Sequence, residues 1–355
     1  MRKKLIYIAL LMVLLTSCEQ YYNPDIEEVP TMMVVESHIT NDPNQNYVKL
    51  TRALNFYSSE QQTKIVGAKV ILIEETGTSF TGIESGTGYF TFARIPVPGK
   101  KYMLRITHQK DIYESDQVIM PPLPRIDTLY TNHRVEKTYQ VDAFGGLMHI
   151  ETPGRDICID APINASLKYY RFNWRAIIQW IYQAPIPPGA MPSPPIFGWK
   201  SFYDNGIFNI TGSKQFSVSD KVKNHPILFL GYDSRAYLDS STLVPQGWIV
   251  IINQYGIPKE SYDFHEKLNK QFTADGSLFD PIQTQVYGNI RCRSDSKKIV
   301  AGFFDLNSYR QYRYYVYLGT NQNSTINQRR LNRYLEIPDN GSLVGTIPAF
   351  WEKYN

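Results

Sequence analysis

From residue 32 to residue 119, apolar and polar positions alternate in short bursts, and each burst ends on Gly, Pro, Asn or Asp. A period of two marks a half-buried strand. The pattern predicts strands at 32–39, 47–51, 68–74, 78–83, 88–93, 102–107 and 112–119. Tyr102, Leu104 and Ile106 alternate with Met103, Arg105 and Thr107, whereas 70–73 is apolar on both faces. Short strands at this density predict a sandwich of the immunoglobulin-like or transthyretin-like kind. The run Pro121-Pro122-Leu123-Pro124 cannot continue a sheet and is where the sandwich is expected to end.

The longest alternation lies beyond that boundary. Tyr170, Phe172, Trp174, Ala176, Ile178, Trp180 and Tyr182 share one parity, and Arg171, Asn173, Arg175, Gln179 and Gln183 the other. A helix would scatter these aromatics around its circumference, so one long strand is predicted. Pro185, Pro187, Pro188, Pro192, Pro194 and Pro195 follow it and predict an extended loop. Further strands are expected at 227–230, 248–254, 284–289, 299–304 and 312–318. One helix is expected at 259–272, entered through Pro258, with Tyr262, His265, Leu268 and Phe272 forming its apolar stripe. The expectation is a mainly β chain, with an N-terminal β-sandwich at 31–121 and a larger antiparallel β domain at 122–355 carrying one short helix. An aromatic content of 14% with 26 tyrosines agrees with strands.

The first residues break the pattern. Arg2, Lys3 and Lys4 precede an apolar run from Leu5 to Leu15, then Thr16, Ser17 and Cys18. Charge block, short run and small residues form an export signal at 1–17, too short to span a bilayer. Leu15-Thr16-Ser17-Cys18 resembles the bacterial lipobox, which implies lipid on Cys18 and a tether at 18–30. The alternative is an ordinary signal whose cleavage site includes a cysteine. Glu19 follows, but Asp25, Glu27 and Glu28 lie further on than a short surface-export tag would, so the periplasmic or surface face stays open.

Cleavage also changes the charge. The chain has 37 Lys+Arg against 33 Asp+Glu; loss of Arg2, Lys3 and Lys4 leaves 34 against 33. No basic block remains to predict nucleic acid as a partner. With Cys18 lipidated, Cys158 and Cys292 are either a disulfide, which an oxidising compartment permits, or two buried thiols.

No catalytic motif, metal site or cofactor motif emerges. His265-Glu266 resembles the start of a zinc-protease helix, but Asn269 stands where the second histidine belongs. Gly-x-Ser-x-Gly does not occur. Gly86-Thr87-Gly88 fits a hairpin turn rather than a nucleotide loop. Asp156, Cys158 and Asp160 alternate and would share one face of a strand, as a cation site or as a solvated edge. Asp275, Gly276, Ser277 and Asp280 lack the regular oxygen spacing of a calcium loop. The proline-rich loop carries Met191, Phe197 and Trp199, open to three readings: contact with a partner, stacking on a glycan, or simple burial.

Gly276-Ser277-Leu278-Phe279-Asp280-Pro281, Tyr287-Gly288-Asn289-Ile290 and Val300-Ala301-Gly302-Phe303-Phe304 resemble, in order and spacing, the signature of the domain of unknown function 4249 (DUF4249) family of Bacteroidota envelope lipoproteins. The lipobox, Met33-Val34-Val35-Glu36, Gly67-Ala68-Lys69-Val70, Gly88-Tyr89-Phe90 and Met120-Pro121-Pro122 fit as well. The resemblance implies a non-enzymatic outer-membrane lipoprotein that assists a TonB-dependent transporter or captures its ligand. It implies no cofactor and no catalytic residue. A surface glycan-binding or adhesive lipoprotein is the alternative, motivated by Trp174, Trp180 and Trp199.

Overall fold

In a computed structural model, the described residues are 32–53, 63–94, 96–142, 144–182, 188–189, 191, 196–204, 206–213, 221–231, 243–273, 286–317 and 340–344. Strands dominate them, as the alternation predicts, and the single helix, α1 (Lys259–Phe272), has the predicted bounds. Cys18 and the residues at 275–281 lie outside the described set.

The first sandwich has two sheets. One contains β1 (Met33–Ile39), β2 (Tyr47–Arg52), β5 (Ile83–Glu84) and β6 (Tyr89–Thr91). The other contains β3 (Lys69–Glu74), β4 (Ser79–Thr81), β7 (Lys101–His108), β8 (Asp111–Ser115) and β9 (Val118–Ile119). Val35, Val48, Leu50, Val70, Leu72, Leu104 and Ile106 meet between them as one buried core. The stretch expected as one strand at 112–119 is two, β8 and β9, which pair with different parts of β7.

Neither sheet is complete at Pro121. β17 (Ile290–Cys292) extends the second sheet against β8, and β18 (Val300–Leu306) joins the first sheet parallel to β1. The chain therefore crosses the expected boundary and returns, because β1 takes a partner 267 residues downstream (Met33↔Val300) and β8 one 179 residues downstream (Tyr113↔Cys292). The strand expected at 284–289 falls instead at β17; of that range, 286–289 is not strand and the rest is not described.

The second sandwich packs a three-stranded sheet on a six-stranded one. The smaller has the order β10 (Thr128–Val141), β11 (Leu147–Pro162), β15 (Lys221–Gly231). The larger runs β19 (Ser308–Tyr317), β16 (Leu243–Ile257), β12 (Tyr169–Tyr182), β13 (Ile196–Tyr203), β20 (Asn340–Val344), with β14 (Asn209–Gly212) beside the start of β12. Tyr170, Phe172, Ala176 and Ile178 face the smaller sheet together with Trp248, Val250 and Ile252, so the predicted apolar parity of β12 is the inward one. Between the sandwiches, β18 leads through Asn307 directly into β19, whose first residues belong to the second sandwich.

Candidate functional site

The three residues of the proline-rich segment separate. Met191 is 93% exposed, the side chain of Phe197 lies outside the described residues, and Trp199 is 1% exposed. Trp199 lies in β13 opposite Gln179 and packs on Ile177 and Ile249. Of the three readings open for Trp199, its position fits simple burial: the segment expected as loop becomes strand at Ile196, which turns the indole into a buried face. Trp174 is also partly buried against the second core, and the side chain of Trp180 is not described.

Cys158 and Cys292 are free and buried, in β11 of the second sandwich and β17 of the first. The disulfide reading gives way to that of two buried thiols, because the strands belong to different sheets and different packing clusters. Burial pushes the Cys158 thiol up, and Asp156 adds to the shift. Asp156 and Asp160 flank it as expected, but each carboxylate is engaged. Asp156 accepts from Arg134 at 2.9 Å, and Asp160 accepts from the Tyr130 hydroxyl at 3.0 Å and the Asn224 amide at 2.8 Å. Among the described residues, no group of three or more His, Cys, Asp or Glu is arranged to hold a metal.

A charged cluster occupies the junction of the sandwiches. Alternation along β12 puts Arg171 on the side opposite Phe172, β1 supplies His38, β18 supplies Asp305, and α1 supplies Ser261 and His265 one turn apart. Arg171 Nη2 lies 3.3 Å from Asp305 Oδ2 and 3.2 Å from His38 Nδ1, and its guanidinium stacks over the Tyr255 ring at 4.7 Å. Ser261 Oγ donates to Asp305 Oδ1 at 2.6 Å. Burial alone would raise the Asp305 carboxyl; the Arg171 charge and the His38 hydrogen bond outweigh it and hold Asp305 well below the usual carboxylate range.

Ser, His and Asp together invite comparison with a hydrolytic triad, but the wiring differs. In a triad, histidine bridges serine and aspartate and takes the serine proton. Here Ser261 Oγ donates to Asp305 directly, and His265 Nδ1, 3.3 Å from that Oγ, also lies 2.8 Å from the Ser261 carbonyl oxygen. Burial lowers His265 to about 4, and Ser261 is fully buried. The depressed Asp305 is a feeble base. This geometry ties α1, β1, β12 and β18 together and leaves the hydroxyl no route to a substrate. The helix buries Ser261 and His265, whereas Phe272, expected in its apolar stripe, is 64% exposed.

Among the described residues, the most exposed large apolar side chain lies elsewhere. β10 and β11 pair from Thr128↔Asp160 to Val141↔Leu147, and among the described residues β15 accompanies β11 as far as Gly154↔Gly231. Beyond that point, the described residues of β10 and β11 pair with each other as an arm. At its base Arg134 binds Asp156 and lies over the Phe229 ring at 4.3 Å. A Cβ on Gly154 would stand 2.4 Å from the Leu230 carbonyl, so glycine is what lets the third strand approach so closely there.

Further out, Lys137 pairs with Glu151 at 3.1 Å and Tyr139 packs against His149. The tip turns on Asp142, whose carboxylate accepts from the Phe144 amide at 2.8 Å and the Gly146 amide at 2.7 Å, with Gly145 at φ +82. Phe144 is 98% exposed, Leu147 76%, Tyr139 70% and Val141 69%. Sequence reasoning missed this arm. The available signal was the alternation of Leu129, Val135 and Tyr139 with polar residues before Phe144-Gly145-Gly146, a turn followed by a second run.

A family model, the domain of unknown function DUF4249, matches residues 19–313. The chain belongs to the DUF4249 family. No curated protein and no solved structure matches it. The match covers the first sandwich, the arm and the second sandwich as far as residue 313 within β19, and it gives the residues that carried the resemblance a structural meaning. DUF4249 signature residue Asn289 places its side-chain amide against β18: Nδ2 donates to the Phe304 carbonyl at 3.1 Å, and the Phe304 amide donates to Oδ1 at 2.8 Å. One side chain thus replaces a neighbouring strand. Gly302, at φ +99, would bring a Cβ to 1.9 Å from the Val35 carbonyl, and Gly288 would bring one to 1.6 Å from the Gly302 carbonyl. The DUF4249 Gly-Asn-Ile and Gly-Phe-Phe elements are two halves of one joint that seats β18 beside β1.

Proposed function

We propose that this protein is a non-enzymatic lipoprotein of the outer membrane, held by lipid on Cys18, that serves a TonB-dependent transporter as an accessory or ligand-capture subunit. The arm supports this reading. β10 is an outer strand of its sheet, and among the described residues β11 is its only strand neighbour. Such an edge, carried out on a ribbon, is a template for strand addition by a partner rich in β-structure. The wiring of Ser261, His265 and Asp305 favours a structural role over a hydrolytic one.

The test is co-purification. The lipidated chain, extracted in mild detergent, is expected to bring down an outer-membrane barrel. A variant in which 135–153 is replaced by a two-residue Asn-Gly turn joining the paired Arg134 and Gly154 is expected to lose it. Recovery of the same barrel with the shortened variant would refute the role of the arm, and recovery of no barrel with either chain would refute the accessory reading.

A further inference from the structure

We infer that the tip of the β10–β11 arm inserts into the interfacial layer of a lipid bilayer, a step that rests on the reading of the chain as membrane-tethered. The first support is geometric. Paired residues of an antiparallel ribbon share a face, and successive pairs alternate faces. Val141 with Leu147, and Tyr139 with His149, lie on one face; Met148, 48% exposed, lies on the other. Phe144 caps the end. A protein groove covers one face of a ribbon, whereas apolar groups on both faces and at the tip call for a surrounding that encloses it. A bilayer supplies that.

The second support is the order of groups along the arm. Paired charges at Arg134–Asp156 and Lys137–Glu151 come first, then the Tyr139 ring beside His149, then Val141, Leu147, Met148 and the turn, with the uncharged Gln140 opposite Met148. This sequence of charge, amphipathic aromatic and hydrocarbon follows the layers of a membrane surface. Lys137 to Val141 is about 14 Å at strand rise, a depth of the same order as the interfacial layer. Asp142, the charged group nearest the tip, has its carboxylate engaged by two turn amides. With Lys137 and Glu151 balancing each other, attraction to anionic lipid is not the driving force. The tether from Cys18 to Met32 reaches at most about 50 Å when extended.

The experiment uses the chain from residue 19 onward without lipid, labelled with an environment-sensitive fluorophore through Phe144→Cys or, as a control on the first sandwich, Thr87→Cys. Cys158 and Cys292 are buried and stay unlabelled in the folded protein. Protein-free phosphatidylethanolamine/phosphatidylcholine vesicles are expected to shift the label at 144 to the blue and let shallow quencher-bearing lipids quench it, with no change at 87. Unlabelled Phe144→Ser/Leu147→Ser is expected to partition about a hundredfold less, since each side chain contributes about tenfold of apolar transfer. Added phosphatidylglycerol is expected to change partitioning by no more than about twofold.

Absence of the shift in vesicles overturns the proposal. So does a shift that appears only when a co-purified barrel is present, which would place the tip in a protein pocket and leave the accessory reading standing. A shift in vesicles from a chain that recovers no barrel upholds the insertion while the accessory reading fails.

Discussion

Replacing Asp305 by leucine tests whether the junction of the sandwiches is held by its charge cluster. The substitution leaves the Arg171 guanidinium, 13% exposed at the side chain, without its carboxylate, and strips Ser261 Oγ of its acceptor. Removing one partner of a buried ion pair costs about 3–5 kcal/mol, most of it from the charge left unpaired. With a urea m-value of about 3 kcal/mol/M, the unfolding midpoint should fall by roughly 1–1.5 M. Arg171→Met in the same chain should recover most of that loss, because a thioether stem fills the space over Tyr255 and needs no counter-ion. Urea unfolding of the wild type, both single variants and the double variant, followed by circular dichroism and tryptophan fluorescence, completes the cycle. A single-variant cost below about 1 kcal/mol, or a double variant that merely sums the two, would refute the reasoning.

Acid should weaken the fold before Asp305 titrates. Burial lowers both His225 and His265 to about 4, against 6.5 when exposed. Each therefore binds its proton more weakly folded than unfolded, so its contribution is complete above pH 6.5 and is lost as pH falls toward 4, by about 3 kcal/mol per histidine. Urea midpoints measured from pH 7.5 to 4 should fall through that window, and a flat profile would contradict the burial of both rings. Asn289→Ala leaves the Phe304 amide and carbonyl without the Asn289 side chain and should cost about 1–3 kcal/mol. Gly302→Ala, clashing with the Val35 carbonyl at positive φ, should lower the melting temperature further than Asn289→Ala does.

What could be read from the sequence was whatever depends on neighbours along the chain. The alternation from Tyr170 to Tyr182 identified β12 and its inward face, and the Pro258 entry located α1 to the residue. Trp199 could not be placed, because a tryptophan beside prolines looks the same whether its strand turns it outward or inward. The charge cluster was invisible for a related reason: His38, Arg171, Ser261 and Asp305 come from four distant elements, and each alone is an ordinary polar residue. Asn289 and Gly302 were seen as a pattern, but their purpose, one amide serving as a strand and one missing Cβ making room for a carbonyl, requires the partner backbone. The arm escaped because an exposed ribbon shows the same alternation as a half-buried one; only the exposure of Tyr139, Val141, Phe144 and Leu147 in the folded chain tells the two apart.

The return of β18 to β1 has a consequence for how the chain acquires its shape. The first sandwich begins at Met33 but cannot close its sheet until Val300–Leu306 exists, so everything from β10 to α1 must be produced while that edge waits. Closing such a separation carries a loop entropy that local hairpins avoid, and topologies of this kind fold slowly. A nascent chain emerging amino end first is thereby kept from locking its first half early. That delay makes the last strands, rather than the first, the ones that commit the molecule to its native form.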